Sequence, residues 1–326
     1  MSGGDMGPDR KRTVGIVGLG HAASFHAPAF AAQEGFALVG CASRNPETTR
    51  AFAARHGLRP YDSPQELIAD DAIELVVVTT PEWARLELLD DALRRGRHLF
   101  VEKPLYAANR AHDVREQDYL DVRRVLEAWD RARTTFGVNF NYRTMPHLRR
   151  VKDDVEAGRL GELKAVRAWA HFACWPHVID QLRWIVGEVE SVAALSAPGH
   201  LDRVAMLRFA NGVVGTLSGT SGRFERDALL RIELDGTVAR ASAEGVHGRY
   251  RRDHENGEDS VTWVNPDVAG QVYSTSYADS VAAFCDALRT GEPPPVSGDD
   301  GLAELAIEAA IDRSARTGAP QRVPAE

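Results

Sequence analysis

The 326-residue chain is poor in cysteine and contains no long apolar run. Its three cysteines, Cys41, Cys174 and Cys285, are widely spaced and odd in number, which fits neither a metal-binding pattern nor a disulfide framework. This usage is typical of a reducing compartment. No apolar stretch approaches the length that spans a bilayer. We therefore expect a cytoplasmic protein that has no membrane partner and binds no metal.

An excess of positive charge is also absent. The chain carries 39 Lys and Arg against 47 Asp and Glu, a net charge of −8. This balance leaves no basic surface of the kind that binds nucleic acid. The length predicts about two domains. Residues 1–12 are rich in glycine and charge and have no apolar segment, so they are expected to form a disordered tail.

Residues 13–141 alternate short apolar runs with helix-like stretches. This alternation predicts an α/β domain built on a doubly wound parallel sheet. The predicted strands are 14–17, 36–42, 75–79, 99–101 and 135–140, and the predicted helices between them are 47–56, 63–69, 84–95 and 118–133.

The pattern changes in residues 142–326. A helix at 146–157 precedes long alternating runs, and Asn211-Gly212 and Asp235-Gly236 are typical of hairpin turns. These features predict an α+β domain on an open, mainly antiparallel sheet with one face covered. Residues 251–270 are polar and are expected to form a long loop, and 299–317 a closing helix.

The segment GLGHAA follows the first predicted strand and opens a helix, which is the setting of a dinucleotide-binding turn. Gly18 allows the tight turn, Gly20 lets the backbone approach a pyrophosphate, and Ala23 permits close packing of helix and strand. The motif alone also occurs by chance. The predicted cofactor residues here are Gly18, Leu19, Gly20, His21 and Ala23.

The second strand ends in Ser43-Arg44, where many dinucleotide-binding domains carry an acidic residue. A carboxylate there would bind the ribose hydroxyls and repel a 2′-phosphate, whereas an arginine pairs with phosphate or stacks on adenine. We therefore predict that NADP(H) is preferred over NAD(H). The alternative is that Arg44 begins a solvated loop.

Two further polar segments follow predicted strands. Thr79-Thr80-Pro81 ends the third run and Glu102-Lys103-Pro104 ends the fourth, so both are expected at the carboxyl edge of the sheet, where ligands bind. The alternative for each is an ordinary exit from a strand, where charges and proline are common.

The ordered motifs of the chain resemble the Gfo/Idh/MocA oxidoreductase family over nearly its whole length. The resemblance implies an amino-terminal Rossmann domain, a carboxyl-terminal α/β domain whose open sheet forms a homodimer or homotetramer, a nicotinamide cofactor, and a sugar, cyclitol or related polyol as substrate. The motifs are GLGHAA, TTP, EKP, FGVNFNYRTMP, EAGRLGELKAV, HVIDQLRWIVG and SGDDGLAELAIEAAIDRSA.

The resemblance also implies roles for residues of both domains. Lys103 would lie near the nicotinamide and the substrate hydroxyl, where a neighbouring cation and a dry cleft disfavour its charged form. It would then orient the reacting oxygen or relay its proton. Glu102, Thr80 and Pro81 would help to hold the cofactor. His177 would act as general acid or base, since the ordinary histidine pKa lies near working pH.

Two departures from the family pattern stand out. An aspartate that many members carry four residues before the histidine is replaced here by Ala173, for which His171, Cys174 or Tyr142 are alternative substitutes. The usual histidine after the T-P segment is replaced by Arg85. Both departures favour a non-standard substrate or a site without ordinary dehydrogenase chemistry.

Four residues are candidates for contact with substrate, each beside an ordinary structural alternative. Tyr142 and Arg143 line a pocket or join the domains, and Trp175 forms an apolar wall or part of the core. Asp180 lies one helical turn after His177. It either contributes to the site or, as we prefer, caps a helix or packs as a structural polar group.

The sequence therefore favours an NAD(P)-dependent oxidoreductase acting on a sugar-like alcohol or carbonyl. The alternatives are a redox-neutral epimerase or eliminating enzyme that retains its cofactor, and a non-catalytic regulatory protein that binds NAD(P).

Overall fold

The computed structural model describes residues 10–109, 113–197, 202–221, 229–246, 248–255, 257, 260–266 and 271–324. Residues 1–9 of the predicted tail lie outside this description, and the first strand begins at Arg12. None of the helices in the described ranges combines the length and apolar character of a bilayer-crossing segment.

The described chain divides into two compact units, each built from three separate segments. The first unit contains residues 10–105, 122–139 and 277–298, and the second contains 106–121, 140–276 and 299–324. The domain boundary predicted between residues 141 and 142 stays a prediction.

The first unit holds a six-stranded parallel sheet in the order β3-β2-β1-β4-β5-β6, which confirms the predicted doubly wound architecture. Its strands are β1 (Arg12–Val17), β2 (Phe36–Ala42), β3 (Arg59–Pro60), β4 (Leu75–Val78), β5 (His98–Glu102) and β6 (Phe136–Asn139). The helices between them are α1 (Ala23–Ala31), α2 (Pro46–His56), α3 (Pro64–Ala69), α4 (Leu86–Arg94) and α5 (Glu116–Leu126). The predicted helix 118–133 therefore ends seven residues early.

Local sequence explains where these helices begin and end. In α2 the Asn45 side chain accepts from the backbone N–H groups of Glu47 and Thr48, Pro46 occupies the first turn, and Gly57 ends the helix at φ 67°. All four residues of β4 are buried, as expected of a strand in a parallel sheet that is covered on both faces.

The core of the first unit includes part of a helix that the sequence did not reveal, α8 (Gln271–Thr290), whose residues from 277 onward belong to this unit. Phe284 of α8 packs on Phe100 of β5 with ring centroids 4.8 Å apart. Gly137 of β6 permits this approach, because a Cβ there would lie 2.4 Å from Cδ2 of Phe284.

The second unit holds a nine-stranded sheet in the order β14-β13-β12-β11-β7-β10-β9-β8-β15. Strands β7 and β10 run parallel and the other neighbours antiparallel, so the predicted mainly antiparallel sheet is confirmed. The strands are β7 (Leu163–His171), β8 (Val189–Ser196), β9 (Arg203–Phe209), β10 (Val214–Thr220), β11 (Leu230–Gly236), β12 (Ala239–Glu244), β13 (Arg249–His254), β14 (Val261–Val264) and β15 (Gln321–Arg322).

Two local predictions for this sheet are wrong. The polar stretch expected as a long loop contains most of β13 and all of β14, whose side chains are mostly exposed or half-buried, so their polar composition is compatible with strands. The second hairpin turns at Thr237 and Val238, since Asp235 and Gly236 still belong to β11.

Helices cover one face of this sheet, and within the described residues the other face, called here the open face, carries exposed side chains. The helices on the covered face are α6 (Pro146–Glu156), α7 (Trp175–Val186) and α9 (Gly298–Thr317). Side chains of all three helices join the buried face of the sheet in one core. Along β9 burial alternates strictly, so that Val204 and Met206 are exposed while Ala205 and Leu207 are buried. Leu195 of β8 and Val214 of β10 extend the exposed apolar surface.

Candidate functional site

The carboxyl ends of β1, β4 and β5 bring three predicted site segments to one edge of the parallel sheet. Val78 pairs with both Val17 and Val101 across the sheet. The next residues are the start of the GLGHAA turn, Thr79 and Glu102, so this edge carries all three segments. The backbone N–H of Thr79 also donates to the carbonyl of Val17 at 2.8 Å.

The glycine turn has the geometry that a bound pyrophosphate requires. Gly18 has φ +87°, and a Cβ there would lie 2.4 Å from the backbone nitrogen of Thr80. At Gly20 a Cβ would meet no atom within 4 Å, so open space lies in front of this backbone. Helix α1 follows without a side-chain cap at Ala22, which leaves its amino-terminal dipole available to an anion. The turn therefore fits a dinucleotide.

The end of β2 carries a stacked pair that includes an unpredicted residue. The guanidinium of Arg44 lies 4.5 Å from the ring centroid of Trp83, which follows the TTP segment. The Ser43 hydroxyl is held within its own loop, 2.9 Å from Oγ1 of Thr49 and 3.0 Å from the carbonyl of Asn45. Arg44 is exposed and Trp83 half-buried. Trp83 could have been noticed in the sequence because it follows Pro81 by two residues, but its partner Arg44 lies 39 positions away.

The Glu102 carboxylate is engaged by two side chains that sequence reasoning missed. Its Oε1 accepts from Nε2 of His26 at 2.6 Å and from Nδ2 of Asn139 at 2.8 Å. Burial acts to raise the pKa of Glu102, but the His26 hydrogen bond and the charges of His26, Arg85 and Lys103 outweigh it and lower the pKa. Glu102 is therefore an ionised anchor inside the first unit.

Arg85 lies buried under the same edge. Its Nε donates to the carbonyl of Thr80 at 2.9 Å, and its Nη1 donates to the carbonyl of Glu102 at 2.5 Å and to that of Pro104. Burial lowers the pKa of Arg85 to about 10. Lys103, between two of these carbonyls, is half-buried, and its bond to Pro104 is cis.

In the second unit, His177 lies in the first turn of α7 and is buried against Tyr142. The two rings are parallel, with centroids 3.8 Å apart and planes 7° apart. Tyr142 Oη lies 3.4 Å from Sγ of Cys174, and Nδ1 of His171 accepts from the backbone N–H of Ala173. Of the three substitutes considered for the absent aspartate, Tyr142 contacts the imidazole directly.

Arg143 and Asp180 form a buried ion pair. Nε of Arg143 donates to Oδ2 of Asp180 at 2.9 Å and Nη2 to Oδ1 at 2.5 Å, while Nη2 also reaches Oδ1 of Asp300 at 3.0 Å. Burial alone would lower the pKa of Arg143, but the two carboxylates outweigh it and raise the pKa. Both oxygens of Asp180 are thus used by the arginine.

The Trp175 side chain is also buried, and its Nε1 donates to Oε2 of Glu308 on α9 at 3.1 Å. Its ring packs over Gly219 of β10, where a Cβ would lie 2.7 Å from Cζ3 of the indole. The four residues predicted to contact substrate therefore fall into two contact groups, Tyr142 with His177, and Arg143 with Asp180, beside a separately packed Trp175.

The glycine turn on a parallel sheet, with a helix amino terminus behind it, is typical of a dinucleotide-binding domain. Two family models match the chain: the "Oxidoreductase family, NAD-binding Rossmann fold" over residues 12–140 and the "Oxidoreductase family, C-terminal alpha/beta domain" over 170–323. The chain belongs to the Gfo/Idh/MocA family.

Relatives with assigned activities match over most of the chain. Myo-inositol 2-dehydrogenase of Thermotoga maritima is 26% identical, covering 92% of this chain and 95% of the relative. Levoglucosan dehydrogenase of Pseudarthrobacter phenanthrenivorans is 25% identical over 69% of this chain and 71% of its own length.

Solved structures have the same fold. Levoglucosan dehydrogenase in complex with NADH superposes with a TM-score of 0.86 at 21% identity, covering 97% of this chain and all of that one. The WlbA dehydrogenase of Bordetella pertussis, in complex with NADH and UDP-GlcNAcA, has a TM-score of 0.82 at 25% identity and covers 98% and 99% of the two chains.

Proposed function

We propose that the protein catalyses the reversible oxidation of a sugar- or cyclitol-like alcohol to the carbonyl. The observation that carries this proposal is the position of Lys103, one residue beyond β5 at the sheet edge that also bears the Gly18–Gly20 turn. The bound nicotinamide would accept or donate the hydride. The names of the relatives, dehydrogenases of inositol and levoglucosan, support this substrate class.

We assign separate tasks to two residues of this chain. Lys103 orients the reacting oxygen through its ε-amino group, and His177 takes the hydroxyl proton on oxidation and returns it on reduction. The flat stack on Tyr142 fixes the plane of the imidazole, which a proton-transfer group needs in order to keep one nitrogen aimed at its partner.

Replacement of Lys103 by alanine tests the proposal. A thermal-shift screen of sugars and cyclitols with NAD(H) and NADP(H) first identifies ligands, since specific ligands raise the apparent stability. With the best substrate, Lys103→Ala should lower kcat by ~100-fold or more while cofactor affinity is unchanged. Lys164→Ala is the matched control, because Lys164 is an exposed lysine paired with Glu162.

The same assay separates the alternatives. Unchanged turnover in Lys103→Ala would contradict the role of the lysine. Product formed without net change in NAD(P)H would identify a redox-neutral enzyme, and cofactor binding without any product would favour a regulatory protein.

We propose NADP(H) as the preferred cofactor. The loop after β2 presents the exposed Arg44 guanidinium, already stacked on Trp83, and no carboxylate at Ser43. A preorganised guanidinium suits a 2′-phosphate because less side-chain freedom is lost on binding.

We also propose that the open face of the nine-stranded sheet joins copies of this chain into a homodimer or homotetramer. Its exposed apolar side chains on β8, β9 and β10 form the kind of surface that marks an interface. Met206→Glu should then reduce the molar mass measured by light scattering, whereas an unchanged mass would contradict this interface.

A further inference from the structure

One buried arginine, Arg85, is hydrogen-bonded to the backbone on both sides of Lys103. Nη1 of Arg85 donates to the carbonyl of Glu102, the residue before the lysine, and to the carbonyl of Pro104, the residue after it. Its Nε binds the carbonyl of Thr80 at the end of the neighbouring strand segment. The three acceptors belong to two different loops at the same edge of the sheet.

We propose that Arg85 is a positioning residue for Lys103, which ties the lysine loop to the TTP loop. This proposal rests on the function assigned above to Lys103. Since the carbonyl oxygens of the two residues on either side of Lys103 accept from one nitrogen, the backbone from which its side chain projects has little freedom to rotate. The link to Thr80 also ties that backbone to the glycine turn, because the Gly18 backbone lies so near Thr80 that a Cβ on Gly18 would be 2.4 Å from the Thr80 nitrogen.

The chemistry of the guanidinium explains why an arginine stands here. A buried cation is costly, and the lowered pKa of Arg85 reflects that cost. Charge-assisted hydrogen bonds to three carbonyls offset it. The planar fork directs its donors in fixed directions, whereas a lysine ammonium is a point donor on a flexible stem. Glu102 adds a compensating negative charge, which raises the pKa of Arg85 against the effect of burial.

The chain supplies a matched control at the other end of the same strand. Arg97 directly precedes β5 and is also buried; its Nε donates to the carbonyl of Ile68 at 3.2 Å and its Nη2 to Oδ1 of Asp71 at 2.8 Å. Arg97→Gln therefore removes a buried guanidinium bound to backbone from the same unit, but far along β5 from Lys103.

The position of Lys103 can be followed without any substrate. The chain has only four lysines, so reductive methylation with isotope-labelled formaldehyde gives few lysine signals in a heteronuclear NMR spectrum. Lys103→Arg assigns the signal of interest, and the other signals serve as internal references. The four are Lys11, Lys103, Lys152 and Lys164.

We expect Arg85→Gln to shift or split the Lys103 signal and to leave the other lysine signals in place, while Arg97→Gln changes none of them. With a substrate in hand, Arg85→Gln should lower kcat by ~10-fold or more with little change in KM or cofactor affinity, as expected for a misplaced catalytic group. Arg97→Gln should retain kcat even where its stability falls equally.

An unchanged Lys103 signal in folded Arg85→Gln would overturn the proposal. Should that variant not fold, Arg85→Lys provides the test, because it keeps the positive charge but loses the planar guanidinium. This variant adds a fifth lysine, and Lys103→Arg in the same background tells its signal from that of Lys103. The same shift of the Lys103 signal is expected, and an unchanged signal again overturns the inference. Failure of the proposed function would look different. Lys103→Ala would then retain turnover, while the NMR signal would still report whether Arg85 positions the lysine.

Discussion

The imidazole of His177 lies flat on the phenol ring of Tyr142, with 3.8 Å between the ring centroids. The ring of Phe140 also contacts the imidazole, with 5.9 Å between the ring centroids and an angle of 79° between the ring planes. The tyrosine comes from the segment that follows β6 and the histidine from α7, so the stack joins two elements of the second unit.

We expect the ring, rather than the hydroxyl, of Tyr142 to support His177. Tyr142→Phe keeps the stack and should retain most of kcat, whereas Tyr142→Leu removes it and should lower kcat by ~10-fold or more because the imidazole loses its orientation. His177→Asn should cost more than either, by ~100-fold or more. Steady-state kinetics at several pH values provides the measurement, and equal losses in the Phe and Leu variants would show that the hydroxyl matters instead.

Alanine substitutions at the two glycines of the turn should affect different properties, stability at Gly18 and cofactor binding at Gly20. Gly18→Ala meets both a positive φ and the backbone of Thr80, so it should destabilise the protein by ~2 kcal/mol or more. Gly20→Ala should leave the unfolding midpoint unchanged and weaken cofactor binding by ~10-fold or more, since it fills the space that the pyrophosphate needs.

Gly35→Ala controls for strain alone in that comparison. Gly35 has φ +79°, but its added Cβ would meet nothing within 4 Å. Thermal unfolding and fluorescence titration with NAD(P)H measure the three variants. Normal cofactor affinity in Gly20→Ala would place the pyrophosphate elsewhere.

Replacement of Arg44 should change cofactor choice. Arg44→Ala removes the cation proposed to pair with a 2′-phosphate, so NADP(H) affinity should fall by ~10-fold or more while NAD(H) affinity changes little. Arg131→Ala is the control, because Arg131 forms a similar stack on Trp129 at 4.4 Å before β6. Comparable catalytic efficiency of the wild type with both cofactors would contradict the predicted preference.

The carboxyl of Glu308 should make stability depend on pH. Burial raises its pKa to about 7, although Glu304, Arg203 and Trp175 act to lower it, while the charge of Asp113 acts to raise it. The folded state therefore holds a proton that the unfolded state has lost. This contribution is complete below about pH 4.5 and disappears as the pH rises to about 7.

Glu308→Gln should remove that dependence while keeping an acceptor for the Trp175 indole. The difference in unfolding free energy between wild type and variant should then decrease, by on the order of 2 kcal/mol, between pH 4.5 and 7. Denaturant unfolding at a series of pH values measures it, and a constant difference would mean that Glu308 titrates normally.

Sequence patterns within a single segment correctly predicted the strands and helices that are determined by their own residues, such as β2 and α2. The run 36–42 became β2 without a change of boundary, and the Asn45 cap and Gly57 mark α2. Helix α8 was not predicted because its sequence contains many serine, threonine, tyrosine and valine residues, which have low helix propensity. Tertiary packing of Phe284 outweighs that low propensity.

The residues of the candidate site also fall into those that local sequence predicts and those that depend on contacts between distant parts of the chain. The glycine turn and the strand-end segments follow from local order, and the register of β1, β4 and β5 places them together. His26, Trp83 and Asn139 could not be found, because each contacts a residue 37 to 76 positions away and no spacing rule links them. Arg85 was noticed only as a departure, whereas its three carbonyl partners are a property of the fold.

Synthesis of the chain from its amino terminus has a consequence for the first unit. All six strands of its sheet have been made once residue 139 is complete, yet Phe100 still lacks Phe284 of α8. The carbonyl of Val296, which accepts from the N–H of Val138 on β6, is also still missing. The ribosome must translate more than 150 further residues, nearly half of the protein, before residues 277–298 can complete this core. Until then the nascent sheet has an uncovered apolar surface, which is the stage at which chaperones bind and aggregation begins.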